Sequence, residues 1–372
     1  MATAAKGTED LCAGELRALG MRGVRPLRGA VEFDGDLVAG LKACLHLRTA
    51  LRVLLPLGKV PAKDADGLYE ALRQIPWEDH LSLRHTFAVE VAGATPGLTH
   101  SLFVAQRAKD AIVDRLRPLL GGRPSVDTRD PDLRIALHLS RGQADVALDL
   151  AGDSLHRRGY RQRPHPASLK ETLAAAVLIA CEYQGETPLL DPLCGAGTLA
   201  IEGALIAARR APNENRSFGA ERWPTFDDAA RSALAELRAE ARAQVRSPPA
   251  PIHASDRDPD AVAATIANVR RAHLPIRVSE ADARTILPMV PPGLVVANPP
   301  YGGRIGGGGG RKQLKTFYHQ LGANFRGFAG HQLAFLAGSP DFESAFGLKP
   351  SGRRKLFNGP IECQLLHYRL RG

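Results

Sequence analysis

Two short stretches hold residues whose type and spacing can carry chemistry. The first is Pro188-Leu189-Leu190-Asp191-Pro192-Leu193-Cys194-Gly195-Ala196-Gly197-Thr198-Leu199-Ala200, which reads as an apolar strand, an acid, a glycine-rich turn and a helix start. Glycines let the backbone turn tightly and approach a ligand, and a helix N-terminus presents unpaired N–H groups. That order predicts a ligand site for a nucleotide-like cofactor. Gly195-x-Gly197-x-x-Ala200 also satisfies the loose dinucleotide fingerprint, but that fingerprint wants an acid about twenty residues on. The next strand-terminal acid, Asp256, lies far beyond. The second stretch is Leu294-Val295-Val296-Ala297-Asn298-Pro299-Pro300-Tyr301. A parallel strand delivers its C-terminal residues to the binding crevice, and two prolines fix the chain after Asn298. The Asn298 amide oxygen and the Pro299 carbonyl can then accept hydrogen bonds from one –NH2 group, while Tyr301 offers a ring on which a base can stack. Together they predict a reader of a planar ring that bears an amino group.

Both stretches need a sheet to hold them. From residue 167 onward helix and strand alternate as in a doubly wound α/β sheet: helix 168–181, strand 188–190, helices 198–209 and 227–245, strand 252–255, helix 259–272. Strands 276–279 and 294–297, helix 312–325, strand 332–336 and a hairpin around Asn358-Gly359 complete it. In helix 227–245 the residues Ala230, Leu234, Leu237, Ala241 and Val245 recur at three and four, and Pro259 follows Asp258 at a first-turn position. Upstream, residues 1–58 read as a small α+β unit with helices 8–19 and 36–47 and strands 23–27, 30–33 and 48–55. Residues 59–154 read as a second, with helices 65–74 and 101–116 and strands 86–91, 132–139 and 144–150. Arg141-Gly142-Gln143 gives a hairpin signal. Residues 155–166 hold four arginines, a glycine and two prolines, the composition of a linker.

Composition sets the outer bounds. The 372 residues are 44% hydrophobic and 24% charged, which predicts a folded chain of two or three domains rather than disorder. No apolar run reaches the ~20 residues of a membrane span, and no signal-like core opens the chain, so a cytoplasmic protein without membrane contact is expected. Five scattered cysteines without a CxxC pair and twelve histidines without a tight cluster argue against a disulfide scaffold and a metal site. A net charge of +10 favours polyanionic partners, nucleic acid first, although an arginine-rich proteome gives the same balance.

Asp191–Thr198 and Asn298–Tyr301 resemble the cofactor loop and catalytic motif of class I S-adenosylmethionine-dependent amino-group methyltransferases. The runs 149–161 (DLAGDSLHRRGYR), 170–176 (KETLAAA) and 109–114 (KDAIVD) are similar to the bacterial 23S rRNA guanine-N2 methyltransferases, over nearly the whole chain. The resemblance implies a C-terminal Rossmann-like class I methyltransferase sheet preceded by ferredoxin-like and THUMP α+β domains, with 1–58, 59–154 and 167–372 as the three units. It implies S-adenosylmethionine as cofactor. Asp191 would meet the methionine amino group, with Pro192, Cys194, Gly195, Gly197 and Thr198 around it. Ser168, Lys170, Glu171 and Thr172 would open the helix that closes over that end. Asp256 with Arg257 would take the ribose, and Asp282 with Ala283 the adenine.

Asn298, Pro299, Pro300 and Tyr301 would be the catalytic residues, holding a guanine amino group in line with the methyl group. A stem guanine must flip to reach them. Lys109, Arg157, Arg158, Arg161, Arg163 and Arg304 are the expected phosphate contacts, on 23S rRNA or alternatively tRNA, with a monomer expected. Two departures stand out. Relatives usually continue Asn-Pro-Pro-Tyr-Gly with Glu-Arg, where this chain has Gly303-Arg304 and then five glycines from Gly306 to Gly310, predicting a flap of high chain entropy. Some relatives also carry a second methyltransferase domain, for which this sequence has no room, so a single modification is expected. Competing readings are a tRNA guanine-N2 methyltransferase, a non-catalytic RNA-binding protein and an NAD(P)-dependent oxidoreductase.

Overall fold

A computed structural model describes residues 1–161, 169–301 and 310–371. The N-terminal half runs β1 (Ala2–Ala4), α1 (Glu9–Ala18), β2 (Arg22–Leu27), β3 (Ala30–Asp34), α2 (Leu37–His46), β4 (Ala50–Pro61), α3 (Ala65–Arg73), β5 (Thr86–Gly93), α4 (Ser101–Leu120), β6 (Ser125–Val126), β7 (Leu133–Ser140) and β8 (Gln143–Asp149). Its strands form one sheet in the order β2-β3-β1-β4-β8-β7-β5-β6. The 58/59 boundary expected from sequence therefore falls inside β4, which pairs with β1 along its first half and with β8 along its second. The ladder irregularity at Pro56/Gly58 is a bulge in a continuous strand, not a break between sheets. Leu133, Ile135, Leu137 and Leu139 alternate into the core along β7, and the Arg141-Gly142 turn to β8 has positive φ at both residues, as a two-residue hairpin requires.

The C-terminal half runs α5 (Glu171–Ala180), β9 (Leu189–Asp191), α6 (Thr198–Ala207), α7 (Asp228–Ala243), β10 (Ile252–Asp256), α8 (Pro259–Ala272), β11 (Arg277–Glu280), β12 (Leu294–Ala297), α9 (Gly310–Phe325), β13 (Gln332–Ala337), α10 (Phe342–Phe346), β14 (Gly352–Asn358) and β15 (Ile361–Arg369). The sheet order is β11-β10-β9-β12-β13-β15-β14, parallel from β11 to β13. The chain steps outward from β9 to β11 and returns to β12 on the other side. The crevice between β9 and β12 is thus the topological switch point, where such sheets bind ligands. All four residues of β12 are buried, the apolar run expected of a strand covered on both faces.

Two expectations are corrected here. The periodic helix over residues 228–243 does not join the doubly wound layers. Ala230, Leu234 and Ala241 of α7 pack into the N-terminal core, against α2, because the narrow alanine-rich face fits beside that helix. The basic segment from residue 155 is not a free linker either: Leu155, Arg158 and Tyr160 are buried, and residues 162–168 lie outside the described ones.

Candidate active site

The glycine bend is held by backbone conformation and by α8. Gly195 and Gly197 adopt φ of 53° and 79°, left-handed values that cost a side-chain-bearing residue. A Cβ on Gly197 would stand 2.7 Å from the Thr265 methyl carbon, whereas one on Gly195 would point into open space. Thr265 Oγ1 donates to the Gly195 carbonyl at 2.8 Å and Asn268 Nδ2 to the Ala196 carbonyl at 3.0 Å. These two residues, one helical turn apart on the buried face of α8, fix the bend and were missed by the sequence reading. Two polar residues interrupting an apolar helix face were the available signal. Gly195 N–H donates to Asp256 Oδ2 at 3.0 Å, and Cys194 N–H to the Ser255 carbonyl at 3.0 Å, so the bend is also stitched to the end of β10.

Three carboxylates line the strand ends with different environments. Asp191 is 1% exposed, forms no ion pair among the described residues, and accepts one hydrogen bond, from Leu193 N–H at 3.3 Å. Burial pushes its carboxyl up to about 8, with the Leu193 bond opposing and the Asp256 charge adding. Such a group is suited to a cationic ligand atom. Asp256 Oδ1 accepts from Asp258 N–H at 3.1 Å. Asp282 is gripped by Arg284, whose Nε lies 2.9 and 3.0 Å from its two oxygens; this hydrogen bonding holds the carboxyl below its ordinary range. Ala283 is buried next to it, its carbonyl accepting from Asn324 Nδ2 at 3.1 Å, and Arg257 is exposed over the Phe317 ring.

At the start of α5, Lys170 is exposed while Glu171 and Thr172 are buried. Burial raises the Glu171 carboxyl, the Arg161 guanidinium 3.3 Å away opposes the rise, and Glu171 Oε2 has no hydrogen-bond partner among the described residues. Arg161 also donates to the Leu169 carbonyl at 2.8 Å and to Thr198 Oγ1 at 3.1 Å. It therefore joins α5 to α6 beside the glycine bend, and its donors are not turned to an outer phosphate surface as expected. Ser168 lies outside the described residues; Pro192 and Thr198 are buried at the bend.

The second motif emerges beside the first. Leu294 and Val295 of β12 stand opposite Leu189 and Leu190 of β9, so Asp191 and Asn298 leave the same edge of the sheet on neighbouring strands, which lie about 4.8 Å apart in such pairs. Asn298 Oδ1 is buried without a hydrogen-bond partner among the described residues. An orphaned acceptor of this kind costs about 1–3 kcal/mol, which a ligand donor would recover. Pro299 is buried, and the Pro300 carbonyl accepts from Tyr318 O–H at 2.5 Å. Tyr301 departs from its expected role. It is 4% exposed, one ring face rests on Gly338, where an added Cβ would come within 2.7 Å, and its hydroxyl oxygen accepts from Asn358 Nδ2 at 2.6 Å. The ring braces the corner from within the core and presents no open platform for a base.

Of the expected phosphate contacts, Lys109 lies 2.7 Å from Asp110, and Arg157 is exposed, 3.5 Å from Asp153. Arg158 is a correction: its side chain is 1% exposed. Its guanidinium donates to the carbonyls of Leu155 (2.7 Å) and Arg48 (2.5 Å) and to Asn213 Oδ1 (3.2 Å), with Glu202 at 3.6 Å. It fastens the two halves together and has no donor facing solvent. Arg163 and Arg304 lie outside the described residues, as do residues 306–309 of the glycine run. Among the described residues there is no group of His, Cys, Asp and Glu able to hold a metal ion, and no helix long and apolar enough to cross a membrane.

Three domain families match the chain. The ferredoxin-like domain of RlmL matches residues 1–54, the THUMP domain 62–149, and UPF0020, described as RMKL-like, methyltransferase domain, 158–367. The Ribosomal RNA large subunit methyltransferase K/L of Syntrophotalea carbinolica is 40% identical over 387 residues, covering 99% of this chain and 53% of that protein. The chain spans about half the length of the curated relatives it matches. The crystal structure of SMU.472 complexed with SAH superposes with a TM-score of 0.90 at 30% identity, covering 100% of this chain and 97% of that one. A structure from Listeria monocytogenes, described as a predicted N6-adenine-specific DNA methylase, gives 0.88 at 29% identity, with 99% and 95% covered. The C-terminal half has the class I S-adenosylmethionine-dependent methyltransferase fold.

Proposed function

Because the chain belongs to the UPF0020 family of RMKL-like methyltransferase domains, we propose that it transfers a methyl group from S-adenosylmethionine to the exocyclic N2 of a guanine in 23S rRNA. The observation that carries this reading is the orphaned Asn298 Oδ1 at the end of β12, beside a glycine bend that leaves open space at Gly195. The donor, when bound, supplies an electrophilic methyl group on a cationic sulfur. Asp191 would hold the methionine ammonium, Asp256 the ribose hydroxyls and Asp282 the adenine amino group. Asn298 Oδ1 would accept a hydrogen bond from the guanine amino group, with the Pro299 carbonyl as second acceptor. These bonds draw the nitrogen lone pair out of conjugation and aim it at the bend. The diproline stiffens this geometry, and Tyr301 and Tyr318 buttress it. No strong base is required, since the alkylated nitrogen is far more acidic than the amine. A paired guanine would have to flip out at a cost of a few kcal/mol, which cationic contacts to flanking phosphates would offset. Lys109, Arg157, Arg163 and Arg304 remain as proposed contacts; Arg158 and Arg161 do not.

The test is methylation of total RNA from a deletion strain with labelled donor, followed by RNA sizing and nucleoside analysis. N2-methylguanosine in 23S rRNA is expected. Label in tRNA would move the substrate, and N6-methyladenosine would overturn the base assignment. Asn298→Ala should lower kcat by orders of magnitude with donor affinity nearly unchanged; wild-type turnover in that variant would remove the role.

A further inference from the structure

On the N-terminal sheet lies a concavity of about 670 Å3 lined by Lys6, Arg28, Lys59, His138, Arg141 and Asp145. Four permanent cations face one carboxylate. Asp145 Oδ1 pairs with Lys59 Nζ at 3.2 Å, and its Oδ2 lies 3.6 Å from His138 Nδ1. Lys6, Arg28 and Arg141 are exposed and form no ion pair among the described residues. Local backbone holds them in place: Arg28 sits in the β2–β3 turn, whose Gly29 carbonyl accepts from Ala4 N–H at 3.0 Å, and Arg141 occupies the left-handed position of the β7–β8 turn. Cations so placed without counter-ions repel one another, a cost recovered when a polyanion binds.

One residue of the lining also reaches the C-terminal half. Lys6 Nζ lies 4.5 Å from the centre of the Phe357 ring, and the next residue, Asn358, donates to the Tyr301 hydroxyl oxygen. We propose that this concavity is a phosphate-tracking site for single-stranded RNA, holding the strand that flanks the nucleotide delivered to Asn298. The site is separate from Lys109 and Arg157, and it rests on the RNA-methyltransferase reading only for the identity of that nucleotide.

Short oligouridine, which contains no guanine, tests the surface apart from the reaction. Wild-type protein should bind it with a steep salt dependence. The Arg28→Gln/Arg141→Gln variant should bind roughly tenfold more weakly, with a salt slope lower by ~1.4, at about 0.7 for each single-strand phosphate no longer neutralised. On a 23S rRNA transcript the same variant should raise KM. Unchanged donor affinity and melting temperature would verify the fold. Equal affinity and slope in wild type and variant, or displacement by polyglutamate but not by oligouridine, would overturn the site. Loss of oligouridine binding in a protein whose wild type methylates no guanine would leave the groove standing and remove the reaction instead.

Discussion

Asp191 is a carboxyl that folding makes into a weak acid. With its value raised from 3.8 to about 8, the folded chain binds a proton there that the unfolded chain releases, so folding stability falls as pH rises between those two values. Asp191→Asn should abolish that slope and stabilise the ligand-free protein near pH 8 by on the order of a few kcal/mol, seen as a higher melting temperature. It should also weaken donor binding at least tenfold and remove the rise in affinity expected of wild type as pH climbs toward 8. Calorimetric titrations in buffers of different ionisation enthalpy would read the proton release; a pH-independent wild type would refute the pairing. At this scale the sequence displayed the two motifs plainly, because glycine and proline write their backbone demands locally. It could not display which way Arg158 and Tyr301 turn. Arg158 points inward because Glu202 and Asn213 await it, and Tyr301 because Gly338 leaves room for its ring; those partners are distant in the chain.

Among the elements, α8 does more than cover the sheet. Its Thr265 hydroxyl holds the Gly195 carbonyl and contacts Cys194 Sγ at 3.4 Å, so the bend has its curvature imposed from outside. Thr265→Val keeps the shape and deletes the donor. A loss of about 1 kcal/mol in stability and a several-fold weaker donor affinity with kcat retained are expected, and Thr265→Ser should restore most of both. Equal affinity in all three proteins would show the bend to be self-supporting. Most helices and strands were legible from periodicity and caps: Asp258 accepts from Asp260 N–H at 3.0 Å ahead of Pro259, as the sequence predicts for the start of α8. The destination of α7 was not legible. An amphipathic face states that it will be buried, not beside which core, and here the alanines of α7 meet α2.

In the whole molecule the two halves meet through buried charge. Arg48 donates to the Arg210 carbonyl at 2.8 Å, Asn213 Nδ2 to the Cys44 carbonyl at 2.8 Å, and Arg158 lies between them beside Glu202, which also accepts from Tyr160 O–H at 3.2 Å. Removing one member strands a buried opposite charge. Arg158→Met should destabilise the protein by ~3–5 kcal/mol, and adding Glu202→Met should recover much of that loss, as read by denaturant unfolding. If Arg158→Met instead left unfolding unchanged and only flattened the salt dependence of RNA binding, the residue would belong to the outer surface after all. The bulged but unbroken strand β4 has a consequence at this same scale. Because one run of backbone serves both N-terminal lobes, they cannot hinge against each other without tearing a shared ladder. The spacing between the two lobes is then set by construction, like the fixed gap of a caliper.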